Sequence, residues 1–124
     1  MKVFFLLTSI LISSLSLAYA DVKFVKSQLN GEATELPNGM LQLLDPSITI
    51  GGKVYHLEGP DDYTATGRVV CRMLEREFVG GTVQYADEKE HARTLYFYGA
   101  DRLAKREPGK TTKQHYVYDV ITCK

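Results

Sequence analysis

The chain contains no tryptophan, four prolines and only two cysteines, and neither sign of charge prevails: fifteen Lys and Arg stand against fifteen Asp and Glu in 124 residues. Each shortage excludes something. Balanced charge excludes bulk nucleic-acid binding, which depends on neutralising many phosphates. Two cysteines far apart exclude a C-x-x-C redox centre and fall short of a cysteine zinc site. No glycosylation acceptor, nucleophile elbow, phosphate loop or H-E-x-x-H helix occurs. After the first 20 residues no further long apolar run appears, so no membrane span is expected in the mature chain.

Those first residues, MKVFFLLTSILISSLSLAYA, read as a secretory signal. Lys2 precedes an apolar run, and Ala18-Tyr19-Ala20 closes it with a small-x-small cleavage site. The expectation is a cleaved leader over residues 1–20 and one secreted or periplasmic domain over 21–124. Charge is uneven along that domain. Residues 21–62 hold three lysines and seven acids, and residues 63–124 hold eleven basic residues and eight acids. Net charges of −4 and +3 suggest two faces of different potential. In an exported protein two cysteines pair. The one bridge available, Cys71–Cys123, closes a loop of about 50 residues and stabilises by roughly 4 kcal/mol on the chain-entropy model.

Alternation in "DVKFVKSQL" predicts a first strand, and "NGEATELPNG" reads as turn material. "MLQLL" is too short to assign by period, and Asp45-Pro46 is expected to stop it. "SITIGGKVYHL" is two β-rich runs about Gly51-Gly52, a hairpin with a primed turn. A loop, "EGPDDYTATG", leads into a helix over about 66–78, with Thr64 or Thr66 as cap. Val69, Val70, Cys71, Met73, Leu74 and Phe78 fall on one arc; Arg68, Arg72, Glu75 and Arg76 fill the other. Gly80-Gly81 should end it. "GTVQYAD", "RTLYFYG" and "QHYVYDVITC" predict three more strands. The fold class is therefore α+β: an antiparallel sheet with one amphipathic helix packed on one face and a disulfide from helix to C-terminal strand.

Two surfaces stand out as binding candidates. If Cys123 faces the helix, then Leu95, Phe97, Val117 and Ile121 lie under it. Tyr96, Tyr98, Tyr116 and Tyr118 then share the other face as an aromatic platform. The long loop Gly99–Gln114 carries Arg102, Lys105, Arg106, Lys110 and Lys113. Arg68, Arg72 and Arg76 form a ridge spaced for anion or acidic-partner contact. His56 and Glu58 share a strand face, with His91 and His115 elsewhere, and three scattered histidines point to no metal or cofactor.

"VVCRML" resembles the helix of scavenger-receptor cysteine-rich domains, a family with several disulfides and a conserved tryptophan that this chain lacks. "KTTKQHYVYDVI" is similar to the histidine-bearing last strand of small secreted microbial ribonucleases. That resemblance implies a catalytic acid at His115 and helices placed before the sheet. The leading expectation is a non-enzymatic binding module, possible inhibitors included, for a protein or glycan partner at the tyrosine face or basic loop. The alternative is a small secreted hydrolase such as a nuclease, using His115 with Glu58 or another carboxylate. An enzyme requires His115, a carboxylate and an arginine to converge in one cleft.

Overall fold

Two adjacent glycines set one hairpin. In the computed structural model, which describes residues 28–87, 89–99, 102–108 and 115–124, Gly51 and Gly52 have φ of 58° and 78°. Both central turn positions thus use the left-handed region that glycine occupies without a Cβ clash. They join β2 (Leu41–Ile50) to β3 (Lys53–Gly59). Residues 1–20, expected to be a leader, and residues 21–27, most of the expected first strand, lie outside the described residues.

The structure is strand-dominated, with one short helix. The first part of the segment read as turn material is instead in β1 (Leu29–Glu35), the antiparallel edge partner of β2, while Pro37-Asn38-Gly39 does form the turn between them. Asp45-Pro46 does not stop β2 but bends it. Asp45 takes φ 52°, a conformation open to aspartate. On one side of the bend, residues 41–44 pair with the last strand; on the other, residues 47–50 pair with β3. The bend lets β2, β3 and β7 (Tyr116–Cys123) pair with one another at a three-way junction.

The helix, α1, spans Thr66–Met73 and is five residues shorter than its apolar arc suggested. Thr64 accepts one first-turn donor, the Thr66 N–H at 3.2 Å, but another side chain takes the next two. Asp61, in the preceding loop, accepts the N–H groups of Gly67 (2.7 Å) and Arg68 (3.0 Å), a carboxylate where the helix dipole favours one. It ends before Gly80-Gly81 because Glu75 turns left-handed at φ 61°. Glu75 N–H then donates to Arg72 and Arg76 N–H to Cys71, the paired bonds of a Schellman ending. Phe78 accordingly opens a strand, β4 (Phe78–Tyr85), which contains both glycines and pairs with β7. Three strands precede α1 and four follow it, so the helix does not stand before the sheet as the ribonuclease resemblance implied.

β5 (Thr94–Gly99) lies parallel to β3, so the sheet is not wholly antiparallel. The basic loop itself contains a strand, β6 (Arg102–Arg106), antiparallel to β5. Val69, Val70 and Cys71 pack with Leu57, Leu95, Phe97, Tyr118 and Ile121 in the core. A disulfide joins Cys71 to Cys123, with the Cα atoms 5.6 Å apart, and both residues are fully buried. It fastens α1 to the last strand. Among the described residues no helix is long and apolar enough to cross a membrane.

Candidate functional site

β3 runs out at Gly59 opposite Tyr116, where β7 begins. The strand ends and loops around this junction leave a cleft of about 710 Å³, within the ~300–1,000 Å³ common for ligand sites. Tyr63, Tyr96 and Tyr116 line it together with Glu58, Asp62, Arg106 and His115. Tyr116 is 47% and Tyr63 83% exposed.

Glu58 is the fixed point. It is only 5% exposed, and one of its oxygens accepts both Arg106 Nε (2.7 Å) and the Thr94 hydroxyl. Strand register explains the meeting. Thr94 stands across from Arg106 on β6 and across from His56 on β3, two residues before Glu58. Period-two alternation puts Glu58 on the same face as Thr94. Arg106 is bound through Nε, and among the described residues no ion pair engages its two terminal nitrogens. Its guanidinium lies 5.4 Å from the centre of the Tyr96 ring, a cation–π distance.

Tyr96 and Tyr98 have ring centres 6.1 Å apart, and Tyr85 and Tyr116 6.0 Å apart. Tyr98 is 56% exposed but does not line the cleft. The fourth tyrosine of the expected platform is elsewhere. Tyr118 is 2% exposed and belongs to the core. On β4, the neighbours Thr82 and Val83 pair with Val120 and Tyr118, which leaves Asp119 as an extra residue on β7. That bulge breaks the alternation and turns Tyr118 to the same side as Ile121. Asp119, awkward beneath a helix, bulges outward and accepts the Thr82 hydroxyl.

The basic residues disperse likewise. Arg106 enters the cleft; Arg102 and Lys105 are exposed on β6, and Lys105 lies 5.7 Å from the centre of the Tyr55 ring. Lys110 and Lys113 lie outside the described residues. Tyr55 donates to Glu107 (2.6 Å), which also pairs with Arg93 (3.2 Å). Burial, then Glu107, pushes the Tyr55 phenol above its ordinary value. His56 and His91 meet edge to face, 4.5 Å between centres. Burial and the neighbouring His91 push His56 down. Among the described residues no cluster of three or more His, Cys, Asp or Glu is placed to hold a metal ion.

Sequence reasoning missed Thr94, Tyr63 and Asp62. Alternation with Leu95 marks Thr94 as turned away from the core, but its link to Glu58 requires the parallel β3–β5 pairing. Tyr63 and Asp62 sit in a loop with no period to read. No protein-family model, no curated protein and no solved structure matches this chain.

Proposed function

We propose that the protein is an exported binding module that takes a neutral glycan in the Tyr63–Tyr96–Tyr116 cleft. The observation that carries it is the pairing of aromatic rings with oriented planar polar groups in one concave site. Tyrosine rings stack on the apolar faces of sugar rings while their hydroxyls stay wet. Arg106, held in place by Glu58, and the carboxylate of Asp62 supply donors and acceptors for sugar hydroxyls. Charge supports neutrality in the ligand: Arg106 is balanced by Glu58, and Asp62 disfavours an anion. The leader and the disulfide bond support export.

A hydrolase is the second reading, favoured by one fact: Glu58, Arg106 and His115 line the same cleft. Binding is preferred because the Glu58 carboxylate is buried and already engaged by two donors, whereas a general base must reach the proton it removes.

The test is titration of the mature protein against a panel of neutral oligosaccharides, with Tyr96→Ala and Tyr116→Ala beside it. Saturable binding weakened at least tenfold in both variants, with melting unchanged, supports the proposal. Absence of binding across the panel, or turnover of any oligosaccharide or RNA abolished by His115→Gln, overturns it.

A further inference from the structure

A second concave surface, separate from the tyrosine cleft, is cationic. Arg68, Arg72, Arg76 and Lys124 line a groove of about 500 Å³ with Glu77 and Phe78. Its geometry comes from α1 and the segment that follows it. Arg68 and Arg72 lie four residues apart on the helix, a separation of about 6 Å along the axis. Arg76 is beyond the helix end, yet the Schellman turn returns it to the same groove.

The two outer arginines are held in place. Arg68 donates to the Thr64 carbonyl (3.2 Å) and pairs with Asp61 (3.6 Å). Arg76 donates to the Gly39 carbonyl (2.9 Å) and pairs with Glu35 (3.4 Å). Arg72, between them, makes no ion pair among the described residues. It is exposed.

We propose that this groove docks a linear acidic polysaccharide through its carboxylates. Arginine forks match carboxylates in a bidentate geometry. Arg72 presents its fork to one carboxylate, while Arg68 and Arg76, each already holding a carbonyl and a carboxylate, flank it with their charge along the groove. That arrangement suits a ligand with a row of carboxylates. The backbone argues against an extended acidic peptide as the occupant. Glu77 and Lys124 spend their N–H and C=O groups on each other, at 2.9 and 2.8 Å, so those main-chain groups are not open to strand addition. A polysaccharide needs only the side-chain cations.

The experiment uses the mature protein and oligogalacturonate, a polymer of uronic acid, with affinity measured at two salt concentrations. Poly-glutamate, single-stranded DNA and vesicles containing anionic phospholipid are run in parallel. The expected result is saturable uronate binding that weakens with salt, because exposed charges are screened within about 10 Å at 0.1 M. Arg72→Gln should weaken it at least threefold and Arg72→Glu at least tenfold. Both should melt like wild type, since the exposed Arg72 side chain makes no ion pair among the described residues. Tyr96→Ala should leave uronate binding unchanged, which separates this groove from the cleft. No uronate binding, binding indifferent to both Arg72 variants, or tighter binding of poly-glutamate, DNA or vesicles overturns the proposal.

Discussion

Tyr118 donates its hydroxyl to Asp61 Oδ1 at 2.5 Å, and the same carboxylate caps the first turn of α1. One side chain thus links the last strand to the start of the helix, while Cys123 links that strand to the helix interior. Asp61 is nearly buried, 7% exposed at the side chain, and every bond it makes fixes one element against another.

Tyr118 should therefore behave as a core residue. Tyr118→Ala is expected to lower stability by about 3–5 kcal/mol, the range for a buried aromatic, and to melt like Leu95→Ala. Tyr118→Phe keeps the ring and leaves Asp61 its other donors, so about 1–2 kcal/mol is expected. Burial, then the bond to Asp61, pushes the Tyr118 phenol far above its ordinary value of 10.0. The folded state holds that proton where the unfolded chain releases it. This contribution is complete below about pH 10 and declines as pH rises above it. Denaturant titrations between pH 8 and 11 should show an alkaline loss of stability that Tyr118→Phe reduces. An identical loss in the variant removes Tyr118 as its source.

The Tyr118 ring also explains a glycine. A Cβ on Gly81 would lie 2.4 Å from the Val120 carbonyl oxygen and 2.8 Å from the tyrosine ring. Neither neighbour is a flexible chain end, so Gly81→Ala must move backbone. A loss of about 1–3 kcal/mol is expected, read as a fall in melting temperature. Gly80→Ala is the control, because a Cβ there meets nothing within 4 Å.

How much of this was legible in the sequence depends on the range of the cause. Gly51-Gly52 declared its hairpin because the reason is local to two residues. The disulfide was legible from the expectation of export and from arithmetic, since two cysteines allow one bridge. The end of α1 was not, because the apolar arc runs on to Phe78, which is needed in the core whether it comes from helix or strand. Nothing in Glu75 announces a left-handed residue. Tyr118 left the expected tyrosine platform through one residue: Asp119 bulges, and alternation beyond it inverts. Tyr96, Tyr116 and Arg106 do meet, but across strand pairings that no local pattern reveals.

Glu75 suggests its own test. A non-glycine residue at φ 61° carries a steric penalty of roughly 1 kcal/mol or more that glycine does not. Part of the gain is offset by the freer unfolded chain of glycine. Glu75→Gly is expected to raise stability by about 0.5–1 kcal/mol, visible as a higher denaturant midpoint with an unchanged slope. An unchanged or lower midpoint argues against the left-handed ending of α1.

His56 sets the acid limb. Burial first, and His91 second, push its pKa below the ordinary 6.5. The unfolded chain then binds a proton that the folded chain resists, so stability is present above about pH 6.5 and falls as pH drops below it. His56→Gln should flatten stability between pH 7 and 5. A slope equal to wild type over that window places the acid sensitivity elsewhere.

The ion pair of Glu58 with Arg106 separates fold from ligand. Glu58→Gln keeps the shape and an acceptor for Thr94 but removes the charge that orients the guanidinium at 2.7 Å. Hydrogen bonds to charged groups are worth about 1.5–3 kcal/mol. Arg106 is 37% exposed at the side chain, so its charge can turn to water, and a loss near 1–2 kcal/mol is expected. Binding should suffer more. An arginine free to swing no longer presents fixed donors beside Tyr96, and lost preorganisation weakens affinity even where every contact remains possible. Glu58→Gln should therefore weaken oligosaccharide binding at least tenfold at a temperature where the variant is fully folded. Arg106→Lys should do the same, because an ammonium cannot lie flat on Tyr96 and hold Glu58 through one fixed nitrogen. Should both variants bind as wild type does, the ion pair serves the fold alone, and the tyrosines would have to carry recognition without it.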